Sequence, residues 1–331
     1  MGSKEDPAAS CMINELIKLA HFKQIDSKQI DEDKTYTNCY IHKTLPIHLK
    51  QVEGSLIRGE EIDKEKKYSC VVFLSKHESK LQNKTFCVHS PGNFGEAFGG
   101  EKRKLCRSSP WLFKNLMKEL VRLNSIDSIN KTNNPINNLT INPINNLTNN
   151  LINNKSNDID AINHELGYEV WNEPTHHGPF CDTPCVFLEI GATKETWYDK
   201  NAAKIAANAI INILKLSFKY NENNNENTCG EKCSEYNGEY KNNEYKNAIY
   251  LGGLHYSDKV RRIILESEYA IGHICPKYSL ELLDCDMLNQ MIDQTGDVKK
   301  IFVEKKTFMS GEKKQELFDL LEKTGIAVEK V

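Results

Sequence analysis

Gly167–Thr193 reads GYEVWNEPTHHGPFCDTPCVFLEIGAT and holds the densest set of residues able to do chemistry. Glu173 lies just ahead of the adjacent His176 and His177, and Pro174, Gly178 and Pro179 constrain the loop around them. On an extended strand neighbouring side chains point to opposite faces, so both rings could not serve one site. A Pro/Gly-held loop lets them converge. Two imidazoles and a carboxylate suit metal ligation or an acid–base pair. The plainer alternative has one ring capping backbone and the other solvated. Glu189 follows the apolar run Val186–Leu188. It reads as a base, a metal ligand or the group that fixes a histidine tautomer, against a salt-bridged strand end.

Other imidazoles fall in comparable places. His77 follows the apolar run Tyr68–Leu74, and His89 closes Thr85–His89. Zinc takes histidine nitrogen and carboxylate oxygen, and a catalytic site leaves one position open. His77, His89, His176 or His177, and one carboxylate satisfy that count. Gly252-Gly253 precede Leu254-His255-Tyr256. These glycines either let backbone approach an anion at a helix N-terminus or simply form a tight turn. His273, inside YAIGHI, reads as a core histidine, while Lys277, after Pro276, suits a phosphate or carbonyl contact. Asn93, in the Ser90–Asn93 turn, joins Gly252, Gly253, His255, Tyr256 and Lys277 as a substrate-binding candidate. The spaced pairs Cys181/Cys185 and Cys229/Cys233 lack the signature of a zinc ribbon and read as fortuitous.

Positioning these groups takes alternating strands and helices. Asp6 and Pro7 announce a helix over Ala8–Ala20 as N-cap and first-turn proline. Leucines three and four apart predict a second over Trp111–Leu123. Strands are expected at Tyr68–Leu74, Thr85–His89, Tyr168–Trp171, Cys185–Ile190, Ala248–Leu251, Tyr269–Ile274 and Lys300–Glu304. Helices are expected near 193–218, 258–268, 280–295 and 311–324. The alternation predicts an α/β fold, a mixed sheet flanked by helices on both faces. Ligands of such sheets sit beyond the carboxyl ends of strands. His77, His89, Glu189, His255 and Lys277 all fall at or past such ends, which argues for one shared site. Residues 126–160, with their imperfect NPINNLT repeat, and residues 220–246 read as polar insertions into a single domain spanning 1–331.

Composition narrows the class. The 331 residues are 39% hydrophobic and 27% charged, with a net charge of −3 and a pI near 6.4. A nucleic-acid partner must therefore use a local basic face. No apolar run reaches the roughly 20 residues that span a bilayer. The eleven cysteines follow no disulfide framework, so reduced thiols in a cytoplasmic protein are expected; a monomer is expected as well.

The segments SKEDPAAS, LSKHES, VHSPGN, EPTHHGPF, VFLEIGAT with Trp197, GGLHY and GHICPKY, spanning Ser3 to Tyr278, resemble the archaeal and plant type of D-aminoacyl-tRNA deacylase. The resemblance implies hydrolysis of the ester joining a D-amino acid, D-tyrosine among them, to the terminal ribose of tRNA. It further implies zinc dependence and a core related to the peptidyl-tRNA hydrolase and nucleoside phosphorylase folds. His77, Glu173, His176, His177 and Glu189 are then the expected catalytic groups. His77, His89, His176 and His177 are the pool of metal ligands, and the tRNA acceptor end is the expected partner. The family pattern has a strand directly before SKEDPAAS, and only Met1-Gly2 precede that motif here. The competing readings are a tRNA- or nucleotide-binding module without chemistry, and a nucleosidase or phosphorylase on the same fold.

Overall fold

The computed structural model describes residues 1–26, 36–58, 68–131, 167–224, 245–305 and 311–331. The NPINNLT repeat and the Cys229/Cys233 pair lie outside them. The N-terminal part contributes β1 (Gly2–Ser3), α1 (Pro7–Leu19), β2 (Phe22–Ile25), β3 (Tyr36–His42), β4 (His48–Val52), β5 (Val71–Lys76) and β6 (Thr85–His89). The short pair β7 (Gly92–Asn93) and β8 (Lys104–Leu105) leads into α2 (Pro110–Lys131). Then come β9 (Glu169–Asn172), β10 (Cys185–Gly191), α3 (Lys194–Trp197) and α4 (Lys200–Asn224). The remainder is β11 (Lys246–Leu251), α5 (Asp258–Glu266), β12 (Tyr269–Cys275), a 3₁₀ helix at Lys277–Leu282, α6 (Cys285–Thr295), β13 (Val298–Val303), α7 (Gly311–Lys323) and β14 (Ala327–Lys330).

The expected α/β fold is present, and its strands divide between two main sheets rather than one. The larger is mixed, in the order β2-β3-β4-β1-β5-β10-β6-β9, and the smaller is β12-β11-β13-β14. All pairings in the smaller sheet are parallel. Parallel neighbours need crossovers, which bury both faces. Tyr250 and Phe302 face Val260 and Ile264 of α5. Ile249, Leu251, Ile301 and Val303 face Met287, Met291 and Leu317 of α6 and α7. The strand missing before SKEDPAAS is supplied by Gly2–Ser3, which pairs in parallel with β4 and β5.

Alternation along β10 sorts the two faces of the larger sheet. Val186, Leu188 and Ile190 join Leu74, Phe86 and Val88 under α1, α2 and α4. Ala202, Ala203, Ala206 and Ala209 of α4 are fully buried there, and their small side chains let α1 and α4 pack closely. Cys185 and Phe187 point the other way, with Phe73, Cys106 and Cys181. Burying Met12, Ile13 and Leu16 of α1 contributes about 1.5–3 kcal/mol per side chain. The Asp6 carboxylate caps α1 by accepting from the Ala9 N–H at 2.9 Å. Its other oxygen accepts from the Lys76 N–H at 2.9 Å, one residue before His77.

Two element boundaries differ from expectation at the insertions. Helix α2 runs to Lys131, past Leu123. The Asn124 amide donates to the Tyr168 carbonyl, so this helical turn has a tertiary partner that leucine spacing does not reveal. Helix α4 runs to Asn224 and β11 begins at Lys246, so the 220–246 segment is regular at both ends.

Candidate active site

The groups singled out above meet across a face of the larger sheet, not along one rim of strand ends. Strand β6 is antiparallel to β10, so its carboxyl end lies at the opposite end from that of β10. The register nevertheless places Cys87 opposite Glu189 and His89 opposite Phe187. Directly opposed residues share a face. Strand β5 adds Ser75 beside Glu189 in parallel register, and His77 follows on the same side. The loop after β9 lays Glu173, His176 and His177 over this patch. It is pinned by a Pro91–His176 bridge and by the Gly92 N–H donating to the His177 carbonyl.

Two buried carboxylates organise the centre. The Ser75 hydroxyl donates to Glu189 Oε1 at 2.5 Å. His77 Nδ1 lies 3.3 Å from both Glu189 Oε2 and Glu173 Oε1. Facing two carboxylates, Nδ1 carries the proton, and Nε2 meets the Tyr256 hydroxyl at 2.7 Å. His255 Nε2 reaches Glu173 Oε1 at 2.8 Å. Burial works to raise the Glu173 pKa. The His255 hydrogen bond and the charge of His77 outweigh it and bring the group down to about 2. Glu189 is likewise held well below the ordinary range: burial is outweighed by His177, His77 and His89. For His77, burial opposes the charged form, yet Glu189 and Glu173 raise its pKa overall.

Three other histidines share one arrangement. His176 Nδ1–H donates to the Pro174 carbonyl at 2.8 Å, and His177 Nδ1–H to the Gly178 carbonyl at 2.6 Å. His89 Nδ1 faces the Ser90 carbonyl at 3.4 Å. A ring whose Nδ1–H is tied to a carbonyl directs Nε2 into the site, where a neutral ring offers the lone pair that a base or metal ligand needs; the Nε2 atoms of His89 and His177 face Glu189 Oε1 at 3.7 and 3.8 Å. Burial, then His89 and His177, holds His176 well below its ordinary pKa, so it is neutral. His89 and Glu173 are fully buried, and His89 Nε2 and Glu173 Oε2 have no hydrogen-bond partner.

That orphaning supplies a test for a metal. Ligand atoms of His89, His176 and His177 lie within 4.8 Å of one another, as do those of His89, Glu173 and Glu189. Nitrogen and carboxylate donors at such spacing fit a divalent transition ion such as zinc. His77 falls in a separate group with Cys87 and Glu173, and both its nitrogens already have protein partners.

The substrate-binding candidates separate more sharply. His255 and Tyr256 reach the cluster directly. Asn93 does not: its amide donates to the Gly99 and Glu101 carbonyls at 2.8 and 3.0 Å and accepts from the Phe98 N–H. Its polar capacity is spent folding the 94–101 loop. The Gly252 N–H donates to the Cys275 carbonyl, so it offers nothing to an anion. With φ of 115° and 79°, Gly252 and Gly253 are turn glycines. Lys277 Nζ has no hydrogen-bond or ion-pair partner among the described residues. His273 is a core histidine, donating from Nε2 to the Cys106 carbonyl and accepting from Thr175 at Nδ1, both at 3.0 Å.

Sequence reasoning missed Ser75 and Cys87. Only the pairing of β5 and β6 with β10 brings them to Glu189, and a lone Ser or Cys in a strand carries no local signal. Gly191 was also missed. A Cβ there would sit 2.6 Å from the His77 Cβ, so the strand needs glycine for that ring to lie against it.

A mixed α/β scaffold with a buried imidazole–carboxylate centre rich in nitrogen donors suits acid–base or metal-assisted hydrolysis. A family model described as D-aminoacyl-tRNA deacylase matches residues 64–134 and 139–329, and the chain belongs to that family. It is 31% identical over 259 residues to the D-aminoacyl-tRNA deacylase of Ignicoccus hospitalis, covering 78% of this chain and 79% of the relative. Against the deacylase of Korarchaeum cryptofilum it is 25% identical over 336 residues, covering 99% and 91%. The fold matches the crystal structure of a conserved protein of unknown function, AF0625, with a TM-score of 0.71 at 24% identity, over 99% of this chain and 93% of the other.

Proposed function

We propose that this chain hydrolyses the ester of D-aminoacyl-tRNA, releasing the D-amino acid and tRNA, with D-tyrosyl-tRNA among its substrates and zinc as its metal. Membership of the deacylase family supports the reaction. The observation that carries the site is the neutral His176, its Nε2 bare, beside two ionised buried carboxylates. A module that only binds tRNA has no use for two buried carboxylates held ionised by histidines. The acceptor end of tRNA is the macromolecular partner, and the enzyme acts as a monomer in the cytoplasm.

The residues divide the work. His89, His176 and His177 would hold the ion, with Glu189 or Glu173 as its carboxylate donor. A zinc ion held there would supply Lewis acidity for the ester carbonyl and for a nucleophilic water near neutral pH. Glu173 and Glu189, ionised across the working range, accept the proton from an attacking water or orient the histidines. His77 holds a proton on Nδ1 between them. Its Nε2 is bonded to the Tyr256 hydroxyl, and we assign the proton for the departing ribose oxygen to this His77–Tyr256 pair. His255, at the mouth, faces the substrate while bonded to Glu173. An aminoacyl ester has a better leaving group than an amide, so carbonyl polarisation and one activated water suffice.

The test is deacylation of matched D- and L-aminoacyl-tRNA with and without a chelator. Hydrolysis of the D-ester alone, lost with chelator and restored by added zinc, is expected. His176→Ala lowers the rate by about 100-fold or more while the fold persists. Equal rates on D and L esters, or a wild-type rate in that variant, would overturn the assignment.

A further inference from the structure

We infer that the mouth of the His/Glu cluster is a stacking platform for the unpaired 3′-terminal adenosine of tRNA. Phe98, Leu254 and Tyr278 form its apolar walls, and Lys277 contacts a phosphate. The inference rests on the deacylase reading and specifies how the substrate is held.

Phe98, Leu254 and Tyr278 are 66%, 69% and 60% exposed, although each is large and apolar. All three belong to segments that touch the cluster. The Phe98 ring lies 6.5 Å from the His177 ring, and the Phe98 carbonyl accepts from the Gly178 N–H at 3.0 Å. Leu254 directly precedes His255, which bonds Glu173. Tyr278 sits in the first turn of the 3₁₀ helix, whose Lys277 N–H is bonded to the Gly253 carbonyl two residues before His255.

The same three segments are tied to one another. The Lys277 N–H donates to the Gly253 carbonyl at 2.9 Å, which makes the Leu254 and Tyr278 loops neighbours. Arg103 donates to the Leu282 carbonyl at 3.1 Å and to Asp284 at 2.7 Å. These contacts join the loop that carries Phe98 to the 3₁₀ helix that carries Tyr278. Asn93 clamps that loop from within. The apolar side chains are therefore presented by braced backbone, not by free loop tips.

Chemistry selects the occupant. An ester held at the cluster has the amino acid on one side and ribose with adenine on the other. A side-chain pocket for the amino acid would enclose it, whereas these walls are open. Base–aromatic stacking works on an open face. Lys277 adds a cation without a carboxylate partner among the described residues, matching the phosphate that a nucleotide brings and an amino acid lacks.

The experiment uses the full chain, with Phe98→Ala, Tyr278→Ala and the double variant assayed on D-tyrosyl-tRNA and D-alanyl-tRNA. Each single change should raise KM about 10-fold, equally for both substrates, with kcat little altered. AMP should compete with substrate for the wild type and less well for the variants. Unchanged KM with no competition by AMP overturns the platform. So does a KM effect confined to D-tyrosyl-tRNA, which would make these residues readers of the amino acid. If the wild type hydrolyses no D-aminoacyl-tRNA, the deacylase reading falls. Equilibrium dialysis of AMP then decides the platform: binding weakened in both variants upholds it, and absence of binding overturns it.

Discussion

At the scale of single residues, the site depends on which nitrogen of each imidazole is engaged. His176 and His177 donate from Nδ1 to carbonyls one or two residues away, so the loop that carries them also sets their tautomers. His77 is oriented instead by long-range partners. Its Nδ1 faces carboxylates from two other strands or loops, and its carbonyl accepts from the Trp197 indole N–H at 2.8 Å. Gly191 lies against its ring. Gly191→Ala would place a methyl group 2.6 Å from both Cβ and Cδ2 of His77, which forces the ring to move. We expect kcat/KM to fall about 100-fold, the size of effect that a misplacement of about 1 Å produces. Circular dichroism should stay near that of the wild type. A wild-type rate would show that His77 need not sit where it does.

At the scale of elements, α1 and β5 are coupled through one carboxylate. Asp6 caps the helix with one oxygen and holds the Lys76 amide with the other. Asp6→Ala removes a cap, costing about 1 kcal/mol, and leaves a part-buried N–H unpaired, costing about 1–3 kcal/mol more. The urea midpoint should drop accordingly, and Asp6→Asn, which keeps an acceptor for one partner, should recover part of the loss. A change within error in both variants would mean that the cap and the Lys76 tie contribute nothing. At the other end of the fold, Lys114 is buried with its ammonium donating to the Ile264, Ser267 and Tyr269 carbonyls. A cation there satisfies the Ile264 and Ser267 carbonyls at the end of α5 and the first carbonyl of β12.

At the scale of the whole molecule, the two sheets meet at the site loop. The Thr175 N–H donates to the Ile274 carbonyl at 2.9 Å, and its hydroxyl accepts from the Ile274 N–H. His273 accepts from the same hydroxyl. Burial depresses the His273 pKa from 6.5 to about 4. The unfolded chain therefore binds this proton more readily than the folded one between those values. The stability present above pH 6.5 is lost as the pH falls towards 4, by about 3 kcal/mol over the full window. Urea unfolding at pH 7 and pH 5 should show this loss, and His273→Gln should flatten it. An equal slope in both proteins would exclude His273 as the source.

Much of this protein was legible in its sequence because the signals are local. Apolar runs and caps placed the helices and the strands that carry the site, whereas β2, β3, β4 and β14, short and mixed in polarity, carry no periodic signal. Proline and glycine around His176 and His177 marked a loop in which two rings converge, and the motif string pointed to the family. The mixed α/β class followed from the alternation of elements. What only tertiary structure decided was pairing. The antiparallel register of β6 on β10 puts His89 and Cys87 on the Glu189 face, and the parallel register of β5 adds Ser75. The division into two sheets brings His273 beneath Thr175. Pairing joins residues more than a hundred positions apart through backbone hydrogen bonds that every sequence can make. Which face a carboxylate shares with which imidazole is therefore written in register, not in residue type.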